Sequence, residues 1–245
     1  MIERQVEIST KDGRMSTFLC HPERSGPHPV ILFFMDAPGI REELRDMARR
    51  LAAVGYYVLL PNLYYRSNVE ELGPFIGDAY AATRQRFMEL MGTLNISMVM
   101  DDTDALIAFA AKDDAASKGP MGCVGYCMSG PYAVNAAVHR LDRVHAAASI
   151  HGVALVTDQR DSPHLAAQRT DARFYFGCAE TDSYAPQEMI DKLRSELDQK
   201  GGNAEVEIYP GTQHGFAFPQ RPAYNKPAAE RHWERLFKLF GDALT

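Results

Sequence analysis

The sequence has few of the features from which disulfide-linked, metal-binding and membrane-spanning proteins are built. It contains only four cysteines, Cys20, Cys123, Cys127 and Cys178, and no two of them form a C-x-x-C pair. No apolar run reaches the roughly 18 residues of a transmembrane helix, and Met1–Gln5 does not begin a secretory signal. We therefore expect a cytoplasmic protein with reduced cysteines, no membrane association and no metal.

Positive charge is also scarce. The 26 Lys and Arg residues are outnumbered by 32 Asp and Glu residues, which gives a net charge of −6 at pH 7. This balance argues against a nucleic-acid partner. The 245 residues suit one α/β domain, because such folds often extend to about 200–250 residues without division. We predict a single domain over residues 1–245.

Hydrophobic patterning predicts strands that alternate with helices. Glu3–Ser9 and Met15–Cys20 alternate on either side of a turn at Asp12, which predicts an antiparallel hairpin at a sheet edge. Val30–Phe34 is a continuous apolar run, typical of a strand covered on both faces. Further strands are predicted at Tyr56–Leu60, Gly122–Tyr126, His145–His151, Arg173–Gly177 and Ala204–Tyr209. Helices are predicted at Ile40–Val54, Ala79–Lys112 with a break near Gly92, Pro131–Val138, Gln187–Lys200 and Lys226–Leu244, and Ser67–Asp78 is irregular. This alternation predicts a mostly parallel sheet with functional residues at the carboxyl ends of its strands.

Cys127 lies where a predicted strand passes directly into a predicted helix. Gly125, Ser129 and Gly130 are small, so the backbone can bend tightly and expose one side chain above the helix N-terminus. The helix dipole there favours a thiolate and, later, an oxyanion. The pattern is the G-x-S-x-G turn of α/β-hydrolases with Cys in the place of Ser. The alternative is a buried cysteine in an ordinary strand–helix turn.

A nucleophilic cysteine needs a base and a group that orients the base. In α/β-hydrolases the chain order is nucleophile, acid and His, each on a loop after a strand. Of the eight histidines, only His214 has this order and lies in a glycine-containing loop after the last predicted strand. Glu180 and Asp182 both follow the preceding strand, and both are candidates for the acid.

Three stretches resemble the dienelactone hydrolase family: Gly125–Gly130 (GYCMSG), Asp182 with Pro186 four residues later, and His214–Phe216. The resemblance extends from Val30 to the last helix. It implies an α/β-hydrolase fold, with a mostly parallel central sheet, helices on both faces and an antiparallel N-terminal edge hairpin. It also implies a triad of Cys127 as nucleophile, His214 as base and Asp182 as acid. Asp182 is preferred to Glu180 because its spacing to Pro186 matches the family.

The resemblance assigns further residues around this triad. The family has a Glu, after the strand that corresponds to Val30–Phe34, which holds the resting thiol and couples to its activation. This chain has the shorter Asp36 there, and the alternative for Asp36 is a cap on the following helix. The backbone N–H groups of Ala37 and Met128 would form the oxyanion hole.

Family substrates carry a carboxylate that two arginines bind. One arginine falls near Arg84, although Arg86 is close enough for the alignment to slip, and a solvated helix face is the alternative for both. The other falls on Phe218, with Arg221 as the nearest replacement. Ser129 also replaces a usual Gly. These departures predict substrates that are less acidic than the family's dienelactones.

The implied activity is hydrolysis of a small-molecule carboxylic ester or lactone, with carboxymethylenebutenolidase-type chemistry and an acyl-thioester on Cys127. This chemistry requires no cofactor, and either a monomer or a homodimer would suit it. Two other functions are open. Cys127 could be a redox-sensing thiol, or the protein could be a degenerate hydrolase that only binds a ligand. Both leave His214 and Asp182 without a role.

Overall fold

The computed structural model describes residues 1–73, 79–199 and 203–244. Two compact units are distinguished, Met1–Lys118 and Gly119–Thr245, and each is described by itself. The end of the predicted irregular segment, at residues 74–78, and the predicted helix end at Lys200 lie outside the described residues. The single domain over 1–245 stays a prediction.

The described residues of the first unit form four strands in the order β1-β2-β4-β3. β1 and β2 form an antiparallel hairpin from the Ile2–His21 pair to the Thr10–Gly13 pair, as predicted. β4 is antiparallel to β2 and parallel to β3, and every residue of β3 and β4 is buried. The elements are β1 (Ile2–Thr10), β2 (Gly13–His21), β3 (Val30–Phe34), α1 (Glu42–Ala53), β4 (Tyr57–Pro61), a 3-10 turn (Tyr65–Ser67), α2 (Tyr80–Met91) and α3 (Ile96–Ala110).

The predicted helical stretch Ala79–Lys112 forms two helices with the expected break near Gly92. α2 ends at Met91 and α3 begins at Ile96. The side chain of Asn95 caps α3 by accepting a 2.9 Å hydrogen bond from the backbone N–H of Met98. An Asn at this position satisfies one of the N–H groups that a helix start leaves unpaired, and so favours a new helix here.

In the part of the second unit that the structure describes, four strands lie in the order β5-β6-β7-β8, all parallel to their neighbours. Two strands extend past their predicted ends, β7 to Thr181 and β8 to Gln213, and the short α5 was not predicted. The elements are β5 (Met121–Tyr126), α4 (Gly130–His139), β6 (Val144–Ile150), α5 (Pro163–Ala167), β7 (Arg173–Thr181), α6 (Gln187–Gln199), β8 (Ala204–Gln213) and α7 (Lys226–Ala243). None of the described helices has the length and apolar character required to cross a membrane.

Each of these four parallel strands is followed directly by a reactive or ionisable residue. Cys127 follows β5, His151 follows β6, Asp182 follows β7 and His214 follows β8. Because the carboxyl ends of parallel strands meet at one edge of a sheet, this arrangement brings the four side chains to the same edge. Thr181 of β7 and Gln213 of β8 are paired in the sheet. Asp182 and His214, which directly follow them, therefore leave the sheet side by side.

Candidate active site

Cys127 lies on a tight left-handed turn between β5 and α4. Its φ is +54°, in a region that residues other than glycine rarely adopt, and it begins a 3-10 turn over Cys127–Ser129. A Cβ on Gly125 would lie 2.0 Å from the backbone oxygen of Ser129, and a Cβ on Gly130 would lie 2.3 Å from Ser149 Oγ. Only glycine fits at either position, which explains the spacing of the motif. The conformation is that of a nucleophile elbow.

Exposure distinguishes Cys127 from the other three cysteines. Cys127 is partly exposed, whereas Cys20, Cys123 and Cys178 are buried. Burial raises the pKa of Cys20 and of Cys178 to about 12, and raises the pKa of Cys123 further. Since the thiolate is the reactive form, these three sulfurs are unsuited to nucleophilic chemistry.

His214 contacts both Asp182 and Cys127. Its Nδ1–H donates a 2.7 Å hydrogen bond to Asp182 Oδ2, and a second hydrogen bond joins the ring to the Cys127 thiol. The Asp182 side chain has no exposed surface, and its Oδ1 accepts a 2.9 Å hydrogen bond from the Tyr184 N–H. With Nδ1 occupied by Asp182, Nε2 is the nitrogen left for the sulfur.

Glu180, the other candidate acid, binds elsewhere. Its side chain is exposed, and Oε2 accepts a 2.9 Å hydrogen bond from the backbone N–H of Gly211. The carboxylate that contacts His214 is therefore the one that the spacing to Pro186 favoured.

The pKa of His214 reflects two opposed effects. Burial lowers it, but the hydrogen bonds to Asp182 and Cys127 outweigh burial and raise the pKa of His214 to about 10. His214 is therefore a cation at neutral pH.

Two rings enclose the His214 imidazole. The Tyr184 ring lies 5.0 Å from it, centroid to centroid, and is 47% exposed. The His151 ring lies 4.9 Å from it and is buried. Sequence reasoning did not assign His151 a role, because the expected chain order excluded it as the base. The sequence did contain one indication of a role, because His151 is the last residue of a predicted strand and functional residues are expected at the carboxyl ends of the strands.

The residues expected to bind substrate differ in exposure. Phe218 is 1% exposed and packs against the rings of Tyr126 and His151, with centroids 5.3 Å and 5.2 Å away. The Arg221 guanidinium lies 5.8 Å from the centre of the Phe218 ring and is partly exposed. Met128, whose N–H is an expected oxyanion donor, directly follows Cys127 and is buried.

In the first unit, Asp36 forms a buried ion pair. The guanidinium of Arg41 donates to both carboxylate oxygens of Asp36, at 2.5 Å and 3.2 Å, and also to Glu43 Oε2 at 2.7 Å. Asp36 does not cap α1, since that helix begins after Arg41 and has no side-chain cap. Sequence reasoning missed Arg41, because nothing in a loop sequence shows which charges meet. The carbonyl of Ala37 accepts a 2.6 Å hydrogen bond from Tyr64 Oη.

Arg84 and Arg86 lie on the exposed side of α2, whose buried residues are Thr83, Phe87 and Leu90. Arg86 forms a 3.4 Å ion pair with Glu89 within the same helix. The roles expected of Asp36, Ala37 and Arg84 stay predictions.

The chain is similar to known proteins over almost all of its length. The sequence model of the dienelactone hydrolase family matches residues 15–244. A "Putative carboxymethylenebutenolidase" of Methylorubrum extorquens is 29% identical, over 99% of this chain and 83% of that protein. A "Probable 2-oxo-3-(5-oxofuran-2-ylidene)propanoate lactonase" of Bradyrhizobium is 23% identical, over 93% of this chain and 89% of that one.

A solved structure shows the fold. The "Putative Dienelactone Hydrolase" of Klebsiella pneumoniae superposes with a TM-score of 0.84 at 23% identity, over 98% of each chain. The predicted α/β-hydrolase fold class is thereby confirmed.

We expect the stability of the protein to fall as pH rises from about 6.5 to about 10. The pKa of His214 is raised in the folded state, so its contribution is complete below the unfolded pKa of 6.5 and is lost through the folded value of about 10. At about 1.4 kcal/mol per pKa unit, the loss amounts to a few kcal/mol. Urea denaturation of wild type and His214→Gln across this range measures it. Parallel stability curves for the two proteins would contradict the expectation.

Proposed function

The chain belongs to the dienelactone hydrolase family and is a hydrolase, and on that premise we propose that it opens a carboxylic ester or lactone with a Cys127, His214 and Asp182 triad. The observation that carries this proposal is the chain of hydrogen bonds from Asp182 through His214 to Cys127. The left-handed turn at Cys127 supports it, because strained backbone of this kind is concentrated at functional sites.

In the proposed reaction, the Cys127 thiolate attacks the acyl carbon and forms a tetrahedral oxyanion. The backbone N–H groups of Met128 and Ala37 donate to that oxyanion. On collapse the C–O bond breaks, and the leaving oxygen takes the proton of the His214 imidazolium. His214 then removes a proton from water, which attacks the thioester. The carboxylic acid leaves and the thiolate is restored.

The chemistry of a thiolate favours ester-type substrates. A thiolate leaves a tetrahedral intermediate more readily than an amide nitrogen does, so amide cleavage is difficult to complete. An alkoxide or enolate leaves the tetrahedral intermediate more readily than an amide nitrogen does, so it competes better with the departing thiolate. The names of the relatives support this class, since one is named "Putative carboxymethylenebutenolidase" and the other "Probable 2-oxo-3-(5-oxofuran-2-ylidene)propanoate lactonase".

For Asp36 we propose the role that the family's Glu has in holding the resting thiol. The two hydrogen bonds from Arg41 fix the Asp36 carboxylate in one orientation. Buried charges of this kind require a partner, and Arg41 supplies it. Arg41 is then the residue that orients Asp36.

The triad assignment predicts which substitutions abolish hydrolysis. Cys127→Ala should remove essentially all turnover, and His214→Gln should lower kcat by about 100-fold or more, the scale of general-base catalysis. Asp182→Asn should be severely impaired, because Asp182 orients His214. Steady-state kinetics on a panel of aryl esters and lactones measures these effects.

Matched controls exist for two of the three positions. Cys178→Ala removes a buried thiol and Glu180→Gln removes the neighbouring carboxylate, and both should keep most of the activity. A redox-sensing thiol would retain its peroxide reactivity in His214→Gln, whereas a hydrolase loses turnover. Greater damage by Glu180→Gln than by Asp182→Asn would move the acid to Glu180.

We also propose that substrates are less acidic than dienelactones. A buried Phe218 stands where the family has an arginine, and Arg221 is partly exposed over the ring of Phe218. Successive contacts connect Arg221 to His214: the guanidinium lies over the Phe218 ring, Phe218 packs against His151, and His151 packs against His214.

The expected preference for an acidic lactone over its neutral methyl ester is below about 100-fold in kcat/KM, or about 2.7 kcal/mol. Arg221→Gln should reduce that preference more than Arg84→Gln does, because Arg84 lies on the exposed side of α2. A wild-type preference above 100-fold would show a second cation at the site. A larger effect of Arg84→Gln would assign the carboxylate to Arg84.

A further inference from the structure

His151 occupies the strand end next to the elbow. Tyr126 and Ile150 are partners in the parallel register of β5 and β6, so Cys127 and His151 are the next residues on two paired strands. The loop after His151 is tied to the elbow, since the Val153 N–H donates to the Cys127 carbonyl at 3.2 Å. The His151 N–H donates to the Gly177 carbonyl of β7 at 2.7 Å.

The backbone of His151 limits which residues can stand there. Its φ is +37°, in the left-handed region that Gly, Asn, Asp and His tolerate best. Of these, His alone has a ring, and the ring is the part that packs against His214. The left-handed backbone therefore does not by itself explain why this position holds a His and not a Gly, Asn or Asp.

The side chain is polar, buried and unpaired. His151 is 1% exposed, and neither ring nitrogen has a hydrogen-bond partner among residues 1–73, 79–199 and 203–244. A buried polar group without a partner costs stability. Residues kept at such a cost are concentrated at functional sites.

The groups around His151 keep its ring neutral. Burial lowers the pKa of His151 well below its ordinary value, and His214, His232 of α7 and Arg221 lower it further. The rings of Tyr126, Phe216 and Phe218 also pack against His151, and the carboxylate of Asp182 is hydrogen-bonded to His214. A charged His214 therefore faces an uncharged, polarisable ring on its buried side.

We propose that His151 is a positioning residue for His214: its imidazole ring packs against the His214 ring, holds it on Asp182 and towards Cys127, and keeps water from that face. The proposal rests on the proposed function only in taking His214 as the base. His151 touches no reacting atom and acts through His214.

The test is His151→Asn, which tolerates the left-handed backbone and stays polar but removes the ring. We expect kcat to fall about tenfold or more with KM within about twofold, because positioning of the base affects chemistry more than binding. The pKa of His214, followed by NMR of ring-labelled histidine, should move down towards 6.5, because weakening the hydrogen bonds that raise it outweighs the effect of reduced burial. Alkylation of Cys127 by iodoacetamide at pH 7 should slow by a similar factor.

The matched control is His164→Asn, which also removes a buried imidazole. His164 lies in α5 and is hydrogen-bonded to Ser162 at 2.7 Å. This variant should leave kcat, the His214 pKa and alkylation unchanged. Equal effects in the two variants, or no effect of His151→Asn, would overturn the proposal.

Two fallback measurements keep the proposal testable. One does not require hydrolysis, and the other does not require the His151→Asn variant to fold. If the wild type hydrolyses no ester or lactone, the proposed function fails, while alkylation and the His214 titration still decide the role of His151. If His151→Asn does not fold, NMR of the wild type decides it. His151 must then remain neutral, and in contact with the His214 ring, at every pH at which His214 is charged. Protonation of His151 in that range would overturn the proposal.

Discussion

The hydrogen bond between His214 and Asp182 is the interaction on which the candidate site depends. The Asp182 side chain is fully buried, and a buried carboxylate is stable only when its charge is paired and its oxygens are hydrogen-bonded. His214 satisfies one oxygen and the Tyr184 N–H satisfies the other. The same bond fixes the orientation of the imidazole, so that its second nitrogen is available to Cys127. One hydrogen bond therefore both pairs the buried charge of Asp182 and orients the imidazole of His214.

The parallel strands of the second unit make this constraint possible. The last pair of β7 and β8 places Asp182 and His214 side by side, and the last pair of β5 and β6 does the same for Cys127 and His151. Backbone hydrogen bonds between neighbouring strands therefore set the spacing within each of these two pairs. Sites built on rigid elements hold their geometry more closely than sites built on loops.

Much of this arrangement was predictable, because it follows from local sequence and chain order. The elbow at Cys127 needs glycine at two fixed positions, and the order of Cys127, Asp182 and His214 follows the order of the strands. The packing of His151 was not predictable, since chain order says nothing about which rings meet across a sheet edge. Nor was the pairing of Asp36 with Arg41, because two nearby charges in a loop can adopt many arrangements. The exposure of individual side chains could not be predicted either: Phe218 is buried, whereas Arg221 is partly exposed.

The proposed mechanism requires that Cys127 becomes acylated during turnover. Its most direct test is to mix the wild-type enzyme with an activated aryl ester, quench with acid at successive times, and analyse the digested protein by mass spectrometry. We expect an acyl group on the peptide that contains Cys127, formed with the burst of released phenol and lost at the rate of steady-state turnover. Hydrolysis without any acylated Cys127, or with the acyl group on another residue, would contradict it.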